Sequence, residues 1–108
     1  MLYKIVWLQE ANEDMEELYD YYAERSVNTA VRIYNEILEE ADILTLHPNS
    51  AAIEQSLNDF KKTYRALVVS KGRYKSIYTV ENSNIYIVRV WNCKREPDKL
   101  IKYIQEGQ

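Results

Sequence analysis

The fold is decided by residues 63–91, whose sequence is TYRALVVSKGRYKSIYTVENSNIYIVRVW. β-Branched and aromatic side chains, which favour extended backbone, dominate three segments of this stretch. The three segments span residues 63–69, 73–80 and 85–91. Short polar connections at 70–72 and 81–84 separate them, and connections of this kind join neighbouring antiparallel strands. The stretch therefore predicts a three-stranded antiparallel sheet.

Alternation along the last two strands divides their side chains between two faces of the sheet. The sets in the second strand are Tyr74, Ser76, Tyr78 and Val80 against Arg73, Lys75, Ile77 and Thr79, and those in the third are Tyr86, Val88 and Val90 against Ile85, Ile87, Arg89 and Trp91. We expect one face to be buried against helices and the other to present Lys, Arg and aromatic groups.

Upstream of this sheet, the spacing of apolar residues changes from that of a strand to that of a helix. Residues 2–7 are rich in Val, Ile, Tyr and Trp and predict a first strand. From Ala11 onward, apolar side chains recur every three or four residues, which predicts a helix over residues 10–24. A second helical stripe runs from Ala30 to Leu44.

The start of the second helix is marked by Ser26 and Asn28, which can accept hydrogen bonds from free backbone amides, and the helix is expected to end before Pro48. The connection between the helices is short, which predicts an antiparallel helical hairpin. Residues 49–62 predict a polar connection, and Asp98 to Gln105 a short third helix. The expected architecture is a single α+β domain over residues 1–108, with the element order β-α-α-β-β-β(-α) and an antiparallel-dominated sheet packed against the hairpin.

Charge is distributed unequally along the chain, although the overall net charge is only −3. Residues 1–55 carry three basic side chains against twelve acidic ones, a net charge of −9. Residues 56–108 carry eleven basic side chains against five acidic ones, a net charge of +6. Because a local basic region attracts anionic partners, the second half is the expected binding region.

Several functional classes lack their sequence signals. A lone His47 and a lone Cys93 provide no set of metal ligands, and no Gly-rich phosphate loop is present, so we predict neither a metal nor a cofactor. The apolar runs are too short to span a bilayer, and the N-terminus predicts a strand and not a secretion signal. A single cysteine fits a reducing compartment, which favours a cytoplasmic protein.

The chain resembles the RelE/ParE toxin superfamily along nearly its whole length. The motifs that carry the resemblance are Ala11-x-x-x-Met15-Glu16-Glu17-Leu18-x-x-Tyr21-Tyr22, then Tyr64-Arg65-Ala66-Leu67 followed by Gly72-Arg73-Tyr74-Lys75-Ser76-Ile77-Tyr78, and finally Val88-x-Val90-Trp91-Asn92-Cys93-Lys94-Arg95. The resemblance implies a toxin of a type II toxin–antitoxin (plasmid stabilisation) system. It also implies a cognate antitoxin, bound in a hetero-oligomer, whose acidic and extended tail meets the basic half of the toxin.

The superfamily has two functional branches, and the resemblance leaves both open. RelE-like members cleave mRNA on the ribosome, which requires proton-transfer groups and cations that stabilise a charged phosphorane. ParE-like members inhibit DNA gyrase without cutting RNA themselves. A third alternative is an inert member that acts only as a binding module.

The RelE-like alternative would use Arg65, Lys75 and Arg95 as catalytic cations on one phosphate-binding surface. Two positions depart from that pattern, because Leu67 stands where RelE-like enzymes place a second Lys and Ile101 where they place a C-terminal Tyr. Tyr103 lies nearby but out of register. Since the proton-transfer groups are missing, the sequence favours the ParE-like branch and leaves catalysis by the chain itself undecided. The residues predicted to bind the target or the antitoxin are Arg65, Arg73, Lys75, Arg89, Lys94 and Arg95.

Overall fold

Five strands form one sheet in the computed structural model, which describes residues 2–95 and 97–106. The strands are β1 (Lys4–Trp7), β2 (Ala52–Ile53), β3 (Arg65–Val69), β4 (Tyr74–Glu81) and β5 (Asn84–Asn92). The α-helices are α1 (Gln9–Ala23), α2 (Val27–Glu40) and α3 (Pro97–Glu106). None of the helices in these ranges is long and apolar enough to cross a membrane. The predicted α+β architecture is confirmed, including the C-terminal helix.

The strand order in the sheet is β1-β5-β4-β3-β2. β1 runs parallel to β5, and the other neighbouring strands are antiparallel. β2 lies within residues 49–62, for which the sequence predicts only a polar connection. It was missed because two residues are too few to show an alternating pattern. A hydrogen bond of 2.8 Å from the Glu54 amide to the Tyr64 carbonyl extends its pairing with the chain that leads into β3.

The helical hairpin packs on one face of the sheet and forms the first core. Its buried members include Ala11, Met15 and Leu18 from α1, Ile33 and Ile37 from α2, and Tyr78, Ile85 and Ile87 from the sheet. Each large apolar side chain buried here contributes about 1.5–3 kcal/mol. Ser26 caps α2 as predicted, because its hydroxyl oxygen accepts a hydrogen bond of 3.2 Å from the Thr29 amide. The α-helix ends at Glu40, and a 3-10 turn over Ala41–Thr45 carries the apolar stripe further.

The opposite face of the sheet is covered in part by a second core. Leu57, Tyr64, Ile77 and Trp91 are buried there beneath Leu100 and Ile104 of α3. The expectation that this face presents its aromatic groups was therefore wrong for Trp91. The reason is the amphipathic C-terminal helix, whose apolar stripe needs a partner and finds it on this face.

A β-bulge in β5 decides which side chains reach which core. Ile77 of β4 stands opposite Arg89, whereas Tyr78 stands opposite Ile87, so that Val88 is an extra residue in β5. Val88 and Arg89 consequently both lie on the face of the second core. All later residues of β5 lie on the opposite face from the one that strict alternation predicts. Strict alternation would have placed Trp91 with Ile87 in the first core. The bulge places Trp91 in the second core and Val90 in the first.

Asp14 of α1 closes the edge of β5 beyond the bulge. β1 pairs with β5 only as far as Ile87, which leaves the later amides of β5 without a strand partner on that side. The Asp14 carboxylate accepts the Val90 amide at 2.9 Å and two hydrogen bonds from Arg89, at 2.8 and 2.7 Å. The hydrogen bond and then the charge of Asp14 outweigh burial and raise the pKa of Arg89. This carboxylate links the hairpin to the sheet.

An ion pair fixes the connection between β2 and β3 on the second face. The Lys75 ammonium contacts the Glu54 carboxylate, which also accepts a hydrogen bond of 2.8 Å from the Ser56 hydroxyl. Burial alone would raise the pKa of Glu54, but the hydrogen bonds from Lys75 and Ser56 and the charge of Lys75 bring it below its ordinary value of 4.5. The ionised form of Glu54 is therefore the one that stabilises the fold.

We predict that Asp14→Ala lowers the free energy of unfolding by about 3 kcal/mol, because it leaves a largely buried guanidinium and the Val90 amide without their acceptor. Glu13→Ala is the matched control, since Glu13 is an exposed acidic neighbour on α1, and we expect it to change stability by less than about 0.5 kcal/mol. Chemical denaturation measures both. Equal, small effects of the two substitutions would contradict the structural role of Asp14.

We predict that the contribution of Glu54 to stability is present above the pKa of 4.5 that the carboxyl has when unfolded, and is lost as pH falls through its lower folded-state value. Wild type should therefore lose more stability than Glu54→Gln on acidification, and their unfolding free energies should converge in acid. Asp59→Asn, at an exposed acid, serves as the control and should follow wild type. Parallel curves for wild type and Glu54→Gln from neutral to acidic pH would refute this role.

Candidate partner-binding site

A groove lies between the C-terminal half of α1 and the adjoining ends of β4 and β5. It consists of two cavities of about 150 and 320 Å³, which share Tyr21 and Asn92 in their walls. The larger cavity is also lined by Tyr22, Lys71, Gly72, Arg73, Cys93 and Lys94, and the smaller one by Asp14, Glu17, Leu18, Tyr74, Val90 and Arg95. We call this site the basic groove, after its four cations Lys71, Arg73, Lys94 and Arg95.

The four cations of the basic groove keep their charges available to a partner. Within residues 2–95 and 97–106, none of them forms an ion pair with a carboxylate. The side chains of Lys71 and Lys94 are exposed, and Arg73 donates hydrogen bonds only to the carbonyl and hydroxyl oxygens of Ser70. The smaller cavity also holds two acids, of which Asp14 is already engaged by Arg89, so Glu17 is left as one acid beside four cations. The groove therefore presents a local positive charge on a protein that is acidic overall.

Arg95 is oriented by aromatic rings at the boundary of the second core. Its guanidinium carbon lies 4.6 Å from the centre of the Trp91 ring and 5.5 Å from that of Tyr103. It also donates a hydrogen bond of 3.3 Å to the Tyr103 hydroxyl. Stacking of this kind fixes a guanidinium without neutralising it. α3 thus helps to position a cation of the basic groove.

The turn from Ser70 to Gly72 carries Lys71 and leads into Arg73. Its three residues have φ values of +50°, +56° and +86°, all in the left-handed region. Glycine adopts that region readily, but Ser70 and Lys71 are strained there. The conformation is held by α2, because the Ser70 amide donates to Glu40 at 2.7 Å and the Ser70 hydroxyl to Glu36 at 3.1 Å.

The structure brings together three of the six predicted binding residues, namely Arg73, Lys94 and Arg95. The other three are engaged within the fold. Arg89 is paired with Asp14, and Lys75 with Glu54. Arg65 donates to the carbonyl oxygens of Ala51 and Asn49, at 2.8 and 3.3 Å, and so fastens the segment before β2.

The three cations of the endonuclease hypothesis do not share a surface. Arg65 stands opposite Tyr78, on the face that packs against the helices, whereas Lys75 stands opposite Trp91 on the other face. Side chains on opposite faces cannot bind one phosphate together. The expectation of one phosphate-binding surface for Arg65, Lys75 and Arg95 was therefore wrong. The sequence shows that the three cations are present, but only the pairing register of the strands shows on which face of the sheet each side chain lies.

The positions at which a RelE-like enzyme would carry proton-transfer groups hold side chains that pack in the two cores. Leu67 packs against the first core and Ile101 against the second. The Tyr103 ring packs on Trp91 with 5.8 Å between ring centres. Burial, followed by the hydrogen bond and charge of Tyr22, raises the pKa of Tyr74. Among the described residues, no group of three or more His, Cys, Asp and Glu side chains could hold a metal ion.

Sequence reasoning missed Lys71 and Tyr21 as residues of the site. In the sequence, Lys71 belongs to a polar turn, although it stands two residues before Arg73. Tyr21 was noted in the helix-one motif, but its position off the apolar stripe was the available signal for exposure. In the structure it is among the most exposed large apolar side chains, at 65%. An exposed aromatic ring beside four cations is a feature of binding surfaces.

Comparisons with known proteins agree on the family. The model of the family described as "ParE toxin of type II toxin-antitoxin system, parDE" matches residues 5–97. A solved structure titled "Chromosomal ParDE TA system from P. aeruginosa" is similar in fold, with a TM-score of 0.71 and 20% sequence identity over 84% of this chain and 96% of that chain. No curated protein matches the sequence.

The family match covers most of the chain, from β1 to the first residue of α3. It includes the helical hairpin, all of the sheet except Lys4 and all four cations of the basic groove. Both the motifs and the fold agree with it. The chain belongs to the ParE toxin family of type II toxin–antitoxin systems.

Proposed function

We propose that this toxin inhibits DNA gyrase and that a cognate antitoxin neutralises it. The observation that carries the gyrase assignment is the separation of the cations that RNA cleavage would need, with Arg65 and Lys75 on opposite faces of the sheet. Leu67 and Ile101 support the same conclusion, because both are apolar side chains that pack in the cores. A toxin of this family without an assembled nuclease site acts by binding its target.

The basic groove is the surface that we propose for the antitoxin. Its cations have no carboxylate partners among the described residues, so an acidic segment can reach them without first breaking ion pairs. The exposed ring of Tyr21 and the apolar wall formed by Leu18 and Val90 offer a place for an apolar side chain of the same segment. An extended acidic segment with an apolar anchor fits both features.

We predict that expression of the toxin alone arrests bacterial growth and reduces the negative supercoiling of a reporter plasmid, while ribosome-bound mRNA remains intact. Co-expression of the protein encoded by the adjacent reading frame should restore growth. Growth curves, plasmid topoisomer gels and mapping of mRNA 5′ ends provide separate readouts. Arrest with cleaved mRNA and normal supercoiling would replace this proposal with the endonuclease alternative, and no arrest would indicate an inert binding module.

We predict that Arg73→Glu combined with Lys94→Glu weakens binding of the adjacent-frame protein at least about tenfold, since two attractive contacts become repulsive. Lys61→Glu is the control at an exposed lysine outside the groove, and we expect it to change the affinity by less than about threefold. Calorimetry at two salt concentrations should show a smaller salt dependence for the double variant than for wild type. Equal affinities of the groove and control variants would exclude the groove as the contact surface.

A further inference from the structure

We infer that Glu36 and Glu40 are positioning residues, which hold the Ser70–Gly72 turn so that Lys71 and Arg73 face the basic groove. This inference rests on the proposed function, since it concerns how the toxin presents its cations to an acidic partner. Both acids lie on α2, outside the groove, and neither lines its cavities. They act on the partner through the turn and do not touch the partner themselves.

Ser70 is the residue through which the two acids act. It is completely buried, which is unusual for a hairpin turn, and every polar group it has is engaged. Its amide donates to Glu40, its hydroxyl donates to Glu36, and its carbonyl accepts from the amide of Arg73 at 3.1 Å and from the Arg73 guanidinium at 3.2 Å. The helix, the turn and the cation are thus joined by one chain of hydrogen bonds.

The strain in the turn explains why such an anchor is needed. Ser70 and Lys71 both adopt positive φ, which costs residues with a Cβ atom free energy at each position. A strained conformation persists only where its surroundings favour it over the relaxed alternatives. The spacing of Glu36 and Glu40, one helical turn apart, places both carboxylates over the same side of α2 and lets them reach a single residue.

The carboxylates of Glu36 and Glu40 bind groups other than the cations of the basic groove. The second oxygen of Glu36 accepts from Arg32, at 3.0 Å, and the oxygens that face the turn bind the uncharged amide and hydroxyl of Ser70. Neither Lys71 nor Arg73 forms an ion pair with these two acids, although both acids stand close to the same turn. A preformed turn also reduces the conformational entropy lost when a partner binds.

Three variants of α2 test this role. Glu40→Ala removes the acceptor of the Ser70 amide, Glu40→Gln retains an acceptor oxygen without the charge, and Glu39→Ala removes one equal charge from an exposed neighbour. In the isolated toxin, we expect hydrogen exchange at the Ser70 amide to become at least about tenfold faster in Glu40→Ala only. Binding of the adjacent-frame protein should weaken about tenfold in the same variant and much less in the other two.

A double-mutant cycle with Arg73→Ala distinguishes positioning from a general loss of stability. If Glu40 acts by positioning Lys71 and Arg73, Glu40→Ala should have a clearly smaller effect on binding once Arg73 is removed, whereas a purely structural role gives effects that multiply. Unchanged exchange at Ser70, or independent effects of the two substitutions in a toxin that binds, would overturn the inference while leaving the proposed function intact. Failure of the wild-type toxin to bind the adjacent-frame protein would overturn both the inference and the proposed antitoxin contact.

Discussion

Asp14 joins the helical hairpin to the sheet through two hydrogen bonds from Arg89 and one from the Val90 amide. These bonds form where β5 has passed the end of β1 and carries the extra residue Val88. Without a carboxylate at this place, the free edge of β5 would leave a buried amide and a largely buried guanidinium unpaired. α1 is therefore seated at one position along β5, and the groove between them follows from that position.

The bulge beside Asp14 decides which side chains of β5 reach each of the two cores, and so decides which of them line the basic groove. It turns Trp91 toward α3, where the ring supports Arg95, and turns Val90 toward α1, where the side chain lines the smaller cavity. On the other side of the groove, carboxylates of α2 hold the turn that carries Lys71. The acidic half of the chain thus organises the basic half at both ends of the groove. The charge asymmetry of the sequence has a structural role besides its effect on partners.

Much of this architecture is predictable from sequence, because strand and helix periodicities are local. The predicted ranges of both hairpin helices, the three central strands and the C-terminal helix agree with the structure within a few residues. The side assignments after Val88 failed, since a bulge depends on how two strands pair and leaves no local signal. Arg65 could not be placed from sequence for the same reason. An arginine predicts a cation that is free to bind a partner, but the carbonyl oxygens that engage it, those of Asn49 and Ala51, lie far away in the chain.

A supercoiling assay with purified gyrase, relaxed plasmid and purified toxin tests the central functional claim most directly. Family membership makes the chain a toxin, and the divided cations and the apolar side chains of Leu67 and Ile101 argue for action by binding rather than by RNA cleavage. We expect the toxin to abolish supercoiling in a concentration-dependent manner and the adjacent-frame protein to restore it. Full gyrase activity in the presence of excess folded toxin would contradict the account.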